Sequence, residues 1–148
     1  GNMKVDPLDC FEMIKSNDLK YSKLIKAKRV ERPIIDKLKT LIFSLIMSLY
    51  FKKLLLDNGG TPNILNKKIL DILDFAPNDF SFDFFIFYFF KYKNFEIFRP
   101  KVPYKKRVYG KSHWQNGVRS ELRLTKEILL QKTIWKKNIE KTTINELN

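Results

Sequence analysis

The chain has 148 residues, 44% of them hydrophobic and 30% charged, which is the size of one domain with enough apolar material for a core without disulfides or metals. Its 29 Lys and Arg against 16 Asp and Glu give a net charge of +13, which disfavours cationic partners and favours polyanions. A lone cysteine, Cys10, excludes an internal disulfide and is expected as a small buried side chain.

Lys, Ile, Asn, Leu and Phe are abundant while Gly and Ala are scarce, the usage of an AT-rich genome. Such a bias raises the lysine content without functional demand. The placement of the charge therefore carries more information than its sum.

Asp6-Pro7 opens a short helix, with Asp as the cap and Pro in the first turn, and Leu8, Phe11 and Ile14 follow at helical spacing. Leu19 to Val30 reads as a second helix, apolar at Leu19, Leu24 and Ile25 and basic at Lys20, Lys23, Lys26, Lys28 and Arg29. Pro33 starts the strongest helical pattern, to about Asp57, with apolar residues from Ile34 to Leu56 at three- and four-residue steps. Its polar stripe is narrow (Lys37, Thr40, Ser44, Ser48, Lys52), which predicts the central, buried helix of the fold, ended by Gly59-Gly60. Leu41 to Phe51, even extended by Leu54 to Leu56, falls short of the about 20 apolar residues a bilayer requires. No membrane span is expected. The first 30 residues lack the apolar core of a signal peptide, so the expected location is intracellular, in the cytoplasm or in an organelle or virus with an AT-rich genome.

Thr61-Pro62 begins another helix, to about Phe75, and Ala76-Pro77-Asn78-Asp79 is a turn. Seven of the thirteen phenylalanines then fall between Phe80 and Phe90. Phe80 to Phe84 alternates and Phe85 to Phe90 is continuous, which predicts a strand buried on both faces in its second half, with a helix as the alternative. Phe95 and Ile97 predict a second short strand, and Pro100 and Pro103 predict an irregular segment after it. Arg107 to Trp114 reads as a strand, Asn116-Gly117 as a hairpin turn, and Val118 to Leu124 as an alternating strand. Thr125 caps a final helix with Ile128, Leu129, Trp135 and Ile139 on its apolar side. The expected fold is a single α+β domain over 1–148. A helical part, 6–75, precedes a sheet and basic part, 79–140, with a small, mostly antiparallel sheet and a C-terminal helix.

The charge is uneven. Arg99 to Asn148 holds thirteen Lys and Arg against four acids, and Arg99, Lys101, Lys105, Lys106, Arg107 and Lys111 lie in one stretch without an acid. Pro100, Pro103, Tyr104 and Tyr109 are interleaved, and His113 and Trp114 follow. Cations at this density neutralise phosphates, aromatic rings stack on bases, and proline keeps such a segment extended. Arg119 and Arg123 on the polar face of the proposed strand extend the same surface. The basic residues between Lys20 and Arg29 form a second patch, read as a solvated helix face.

Chemistry is sparse. His113 and Cys10 are too few for a His/Cys metal site, no Ser sits in a Gly-flanked elbow, and no Gly-rich phosphate loop occurs. His113 is read as a hairpin-end or ligand-contacting residue rather than a base. Asp79, Asp83, Glu96 and Glu121 lie in or beside the proposed strands, where a Mg²⁺-dependent nuclease would carry its acids, but the usual Lys at the third position is missing. No catalytic residue, metal or cofactor is assigned.

Arg99-Pro100-Lys101-Val102-Pro103-Tyr104-Lys105 resembles the RPxxPYKGKG tail of the sixth large-subunit ribosomal protein, a tail that contacts ribosomal RNA. The resemblance covers these seven residues; the following glycines are replaced by Lys106-Arg107-Val108-Tyr109, and the helical first half does not match that family's β-rich repeats. Gly117 to Leu124 is similar to a strand of phage and plasmid replication initiators, over eight residues. The expected function is non-enzymatic nucleic-acid binding, with RNA favoured over DNA, as a component of a ribosome or similar ribonucleoprotein assembly. Its contacts would be Arg99, Lys101, Tyr104, Lys105, Lys106, Arg107, Tyr109, Lys111, His113, Trp114, Arg119 and Arg123. The alternatives are an assembly subunit that buries the Phe-rich segment against other protein subunits, a small Mg²⁺-dependent nuclease or replication-type DNA-binding protein, and a membrane-associated subunit using Leu41 to Leu56.

Overall fold

A computed structural model describes residues 7–15, 20, 22–103 and 118–142. The elements in chain order are α1 (Pro7–Lys15), β1 (Lys23–Lys26), β2 (Lys28–Val30), α2 (Ile34–Phe51), β3 (Asn63–Leu65), α3 (Lys67–Ile72), α4 (Phe82–Tyr92), β4 (Glu96–Phe98), β5 (Lys101–Pro103) and α5 (Val118–Lys141). The class is α+β.

The sheet is mixed rather than mostly antiparallel. β1 is central in a three-stranded sheet of order β3-β1-β4, antiparallel to β3 and parallel to β4. β2 and β5 form a parallel pair that continues the same register, with Lys23 opposite Glu96 and Lys28 opposite Lys101. Parallel neighbours need a long crossover. Here the chain passes through α2, β3, α3 and α4 before it returns. Pro100 and Pro103 lack an N–H, which confines β5 to three residues of a two-stranded ladder.

The segment expected as a helix over Leu19 to Val30 holds strands β1 and β2. Leu24 joins the main core, while Ile25 and Ala27 join a second cluster with Met13 and Val102. Apolar residues needed on two opposite faces are met by the period of a strand, not of a helix. Between Thr61 and Phe75, strand β3 precedes a helix, α3, of only six residues.

The Phe-rich segment is a helix, α4, not a strand. Phe84 to Phe90 are all buried, so the run is apolar on every side, and the eleven residues of Phe82–Tyr92 exceed an ordinary strand. Asp79 Oδ1 accepts from the Ser81 N–H at 2.7 Å and the Ser81 hydroxyl at 2.6 Å, which shapes the turn into the helix. Around α4 the core gathers Met47, Phe51, Leu55, Ile69, Leu73, Ile128, Trp135 and Ile139. Phe51 lies 4.7 Å from Tyr88 and Phe85 lies 5.3 Å from Trp135, ring centre to ring centre.

The central helix is thus α4, and α2, expected in that role, lies at the edge. It ends at Phe51 rather than Asp57, with Lys52 in the left-handed conformation at φ 54°. Two residues of its polar stripe, Ser44 and Ser48, turn inward and supply partners for the loop after it, while Lys37 and Lys52 stay exposed. Ser48 Oγ accepts from the Leu55 N–H at 2.9 Å, and Ser44 Oγ accepts from the Asp57 N–H at 3.1 Å. Phe43, Ser44, Met47 and Phe51 face the core side, and Ile34, Leu38, Leu41, Leu45 and Leu49 face away and are exposed.

Val118 to Leu124, expected as a strand, is the first part of α5. Val118 and Leu122 are four apart, and the Arg123–Glu127 ion pair spans one turn. Thr125 lies inside the helix rather than at its start. Ile128, Trp135 and Ile139 are buried as expected. Cys10, expected buried, is partly exposed on α1. The proposed strand at Arg107 to Trp114 and the Asn116-Gly117 turn lie outside the described residues. No described helix is long and apolar enough to cross a membrane.

Candidate polyanion-binding surface

β2 and β5 bring together the two basic segments that lie far apart in sequence. In their register Lys28 stands beside Lys101, and both are exposed. The Lys28 N–H donates to the Pro100 carbonyl at 2.7 Å, which fixes this juxtaposition through the backbone. Like charges directly opposite on a ladder repel, so the pair is relieved by an anion placed over it. Arg29 follows Lys28, paired with Val102.

Behind this edge lies a cationic cluster around one carboxylate. Arg99 Nη2 is 2.8 Å from Asp57 Oδ2 and donates also to the Asp57 carbonyl at 3.1 Å, while its guanidinium lies 5.5 Å from the Phe87 ring centre. Arg32 Nη1 is 3.7 Å from Asp57 Oδ1, and its Nη2 donates to the Asp36 carbonyl at 3.1 Å and to Thr40 Oγ1 at 2.8 Å. Lys26 is fully buried, donating to the Gly60 carbonyl at 3.2 Å and to Asn63 Oδ1 at 2.9 Å. Burial lowers its pKa from 10.5 to about 8, with Arg99 and Arg29 adding to the effect and Asp83 and Asp57 opposing it. Burial also lowers the pKa of Arg99, opposed by Asp57.

Gly60 is required where this loop crosses the strands, since a Cβ there would collide with the Ala27 carbonyl. Gly59 lies against the Arg29 guanidinium. The loop 56–60 is therefore held from one side by Lys26 and the arginines.

These placements sort the expected site residues. Arg99 is a clamp on the loop and only part of its side chain reaches solvent. Lys101 is exposed on β5. Arg123 is exposed on α5 and paired with Glu127 at 2.9 Å. Arg119 belongs to the same helix, four residues before it, not to a strand. Tyr104, Lys105, Lys106, Arg107, Tyr109, Lys111, His113 and Trp114 lie outside the described residues. Arg32 and Asp57 carried no recognisable motif; the only hint was an arginine before the helix-starting Pro33 and an Asp before Gly59-Gly60. Asp79, Asp83 and Glu96 do not converge: among the described residues no three His, Cys, Asp or Glu side chains come together as metal ligands.

No family model matches the chain, and no curated protein and no solved structure is similar to it.

Proposed function

We propose that the chain is a non-enzymatic nucleic-acid-binding protein, RNA favoured over DNA, working as a component of a ribosome or similar ribonucleoprotein assembly. One observation carries the reading: the β2–β5 register sets the exposed Lys28 and Lys101 side by side. The basic, tyrosine-containing stretch from Tyr104 to Trp114 continues directly from β5 in sequence. Phosphates on Lys28 and Lys101 would release counterions, and bases from the same strand would meet Tyr104, Tyr109 and Trp114. Lys105, Lys106, Arg107 and Lys111 would take further phosphates, with His113 at the end of that stretch, and Arg119 and Arg123 would extend the surface onto α5.

The measurement is fluorescence anisotropy of a single-stranded RNA against rising salt. Affinity is expected to fall steeply with salt, and Lys28→Ala with Lys101→Ala is expected to shallow the log–log slope by about 1.4. Salt-independent binding, or an unchanged slope in the double variant, rules the reading out. A matching DNA oligonucleotide that binds as tightly removes the preference for RNA.

The alternative of a subunit that buries its Phe-rich segment against a partner finds little surface there. Phe84 to Phe90 already lie in the core, and Phe80 is the exposed one of that run.

A further inference from the structure

The face of α2 turned away from the core is a ridge of aliphatic side chains. Ile34, Leu38, Leu41, Leu45 and Leu49 form one row, with Ile35, Ile42 and Ile46 beside it, and each is between 47% and 81% exposed. Lys37 borders one side of the ridge, Lys39 the other, and Lys52 follows its C-terminal end. Asp36, the one acid of the helix, lies in the turn that Arg32 grips on the opposite side.

We infer that this face seats on the surface of an anionic phospholipid bilayer, with α2 lying in the interfacial plane. An exposed apolar patch of this extent marks an interaction surface. Three features select lipid. The ridge is wholly aliphatic, whereas the energetic centres of protein interfaces favour Trp, Tyr and Arg. It is convex along the whole helix, a shape that a fluid acyl boundary accepts without a matching groove. Its rim is cationic, and lysine stems reach past apolar surface to place their ammonium groups among lipid phosphates. A second copy of the chain would set its own Lys37, Lys39 and Lys52 against those of the first. The helix is too short and too polar at its edges to span a bilayer, so it lies on it. The side chains involved are distinct from Lys28 and Lys101, so the inference stands whatever the fate of the nucleic-acid reading.

Cosedimentation of the full chain with vesicles tests it. Binding is expected to phosphatidylglycerol–phosphatidylcholine vesicles and to be at least about tenfold weaker to phosphatidylcholine alone. Leu38→Asp with Leu45→Asp should weaken binding to the anionic vesicles at least about tenfold. These side chains are exposed, so the double variant should keep its circular dichroism spectrum. Leu45→Trp should show a fluorescence blue shift on adding the anionic vesicles and none on adding the neutral ones. Failure to sediment with anionic vesicles, equal binding by the aspartate variant, or a micromolar dimer that this variant dissolves overturns the inference, the last by assigning the ridge to a second copy.

Discussion

At the scale of single residues, Lys26 is a cation that the fold perturbs strongly. It has no exposed surface, satisfies its ammonium with Gly60 and Asn63, and lies 5.4 Å from the Phe87 ring centre. Its pKa falls to about 8 in the fold, chiefly through desolvation, against 10.5 in the unfolded chain. Between these values the unfolded chain binds more protons than the folded one, so stability rises with pH across that window and the penalty is full below it. From about pH 7.5 to about pH 9.5 the gain is about 2 kcal/mol. Tyr88 acts in the opposite sense, because burial raises its pKa to about 12, but it removes stability only above its unfolded value of 10. Urea unfolding of the wild type should therefore show a midpoint that climbs over this range. Lys26→Met, which keeps the stem and removes the ammonium, should flatten the climb. A slope over this range that is the same in wild type and Lys26→Met would show that Lys26 keeps an ordinary pKa.

At the scale of elements, α2 makes the opposite use of its two faces from what its pattern suggests. Ser44 is buried and Ser48 partly so, and each hydroxyl holds a backbone N–H of the loop that follows the helix. Replacing either by Ala strands a donor and should cost about 1 kcal/mol. With the stripe in water, the same change would stabilise by about 0.5 kcal/mol through helix propensity alone. Thermal melts of Ser44→Ala and Ser48→Ala thus decide the orientation of α2, and an increase in Tm for both would reverse it. The sequence allowed a helix here because the three- and four-residue spacing is independent of neighbours. It hid the direction because both faces of Ile34–Phe51 are apolar enough to be inside. The same ambiguity governs Phe84 to Phe90, where a run buried on all sides carries no period, and only the eleven-residue length of the wider segment Phe82–Tyr92 favours a helix. α1, β4 and the buried side of α5 were legible because one face alone is apolar or because a turn signal precedes them. The Lys28–Lys101 register was not, since no local pattern records which strand a strand will meet, and Arg32 and Asp57 meet only through the crossover between β2 and β5. Lys101 and Arg99 stand out in sequence through the acid-free stretch, although for Arg99 the packing on Phe87 and the Asp57 carboxylate gives it a clamping place rather than an open one.

At the scale of the whole molecule, the net charge of +13 sets two salt effects of opposite sign. Within the chain, 29 cations outnumber 16 acids, so the surplus of 13 has no carboxylate to match it, and the ion pairs include Lys23–Glu96, Arg32–Asp57, Arg99–Asp57, Arg123–Glu127 and Lys136–Glu140. Several have an exposed partner, and such pairs contribute roughly 0–1 kcal/mol each, so screening them removes little. Repulsion from the surplus of cations acts on the compact state over longer distances, and it weakens as the Debye length shortens from about 14 Å near 0.05 M salt to about 6 Å near 0.3 M. The free chain should therefore become more stable as NaCl rises over this range, with Tm climbing by a few degrees. In the RNA complex that we propose, phosphates would already neutralise the repulsion, and added salt would strip the ligand away. The complex should then melt at a falling temperature over the same salt range, until the two curves meet where RNA no longer binds. Calorimetry of the free chain and of the chain with excess single-stranded RNA gives both curves. A free chain whose Tm drops with salt would mean that attractive pairs outweigh the excess of cations, and would leave the charge of this protein without the surplus on which polyanion binding rests.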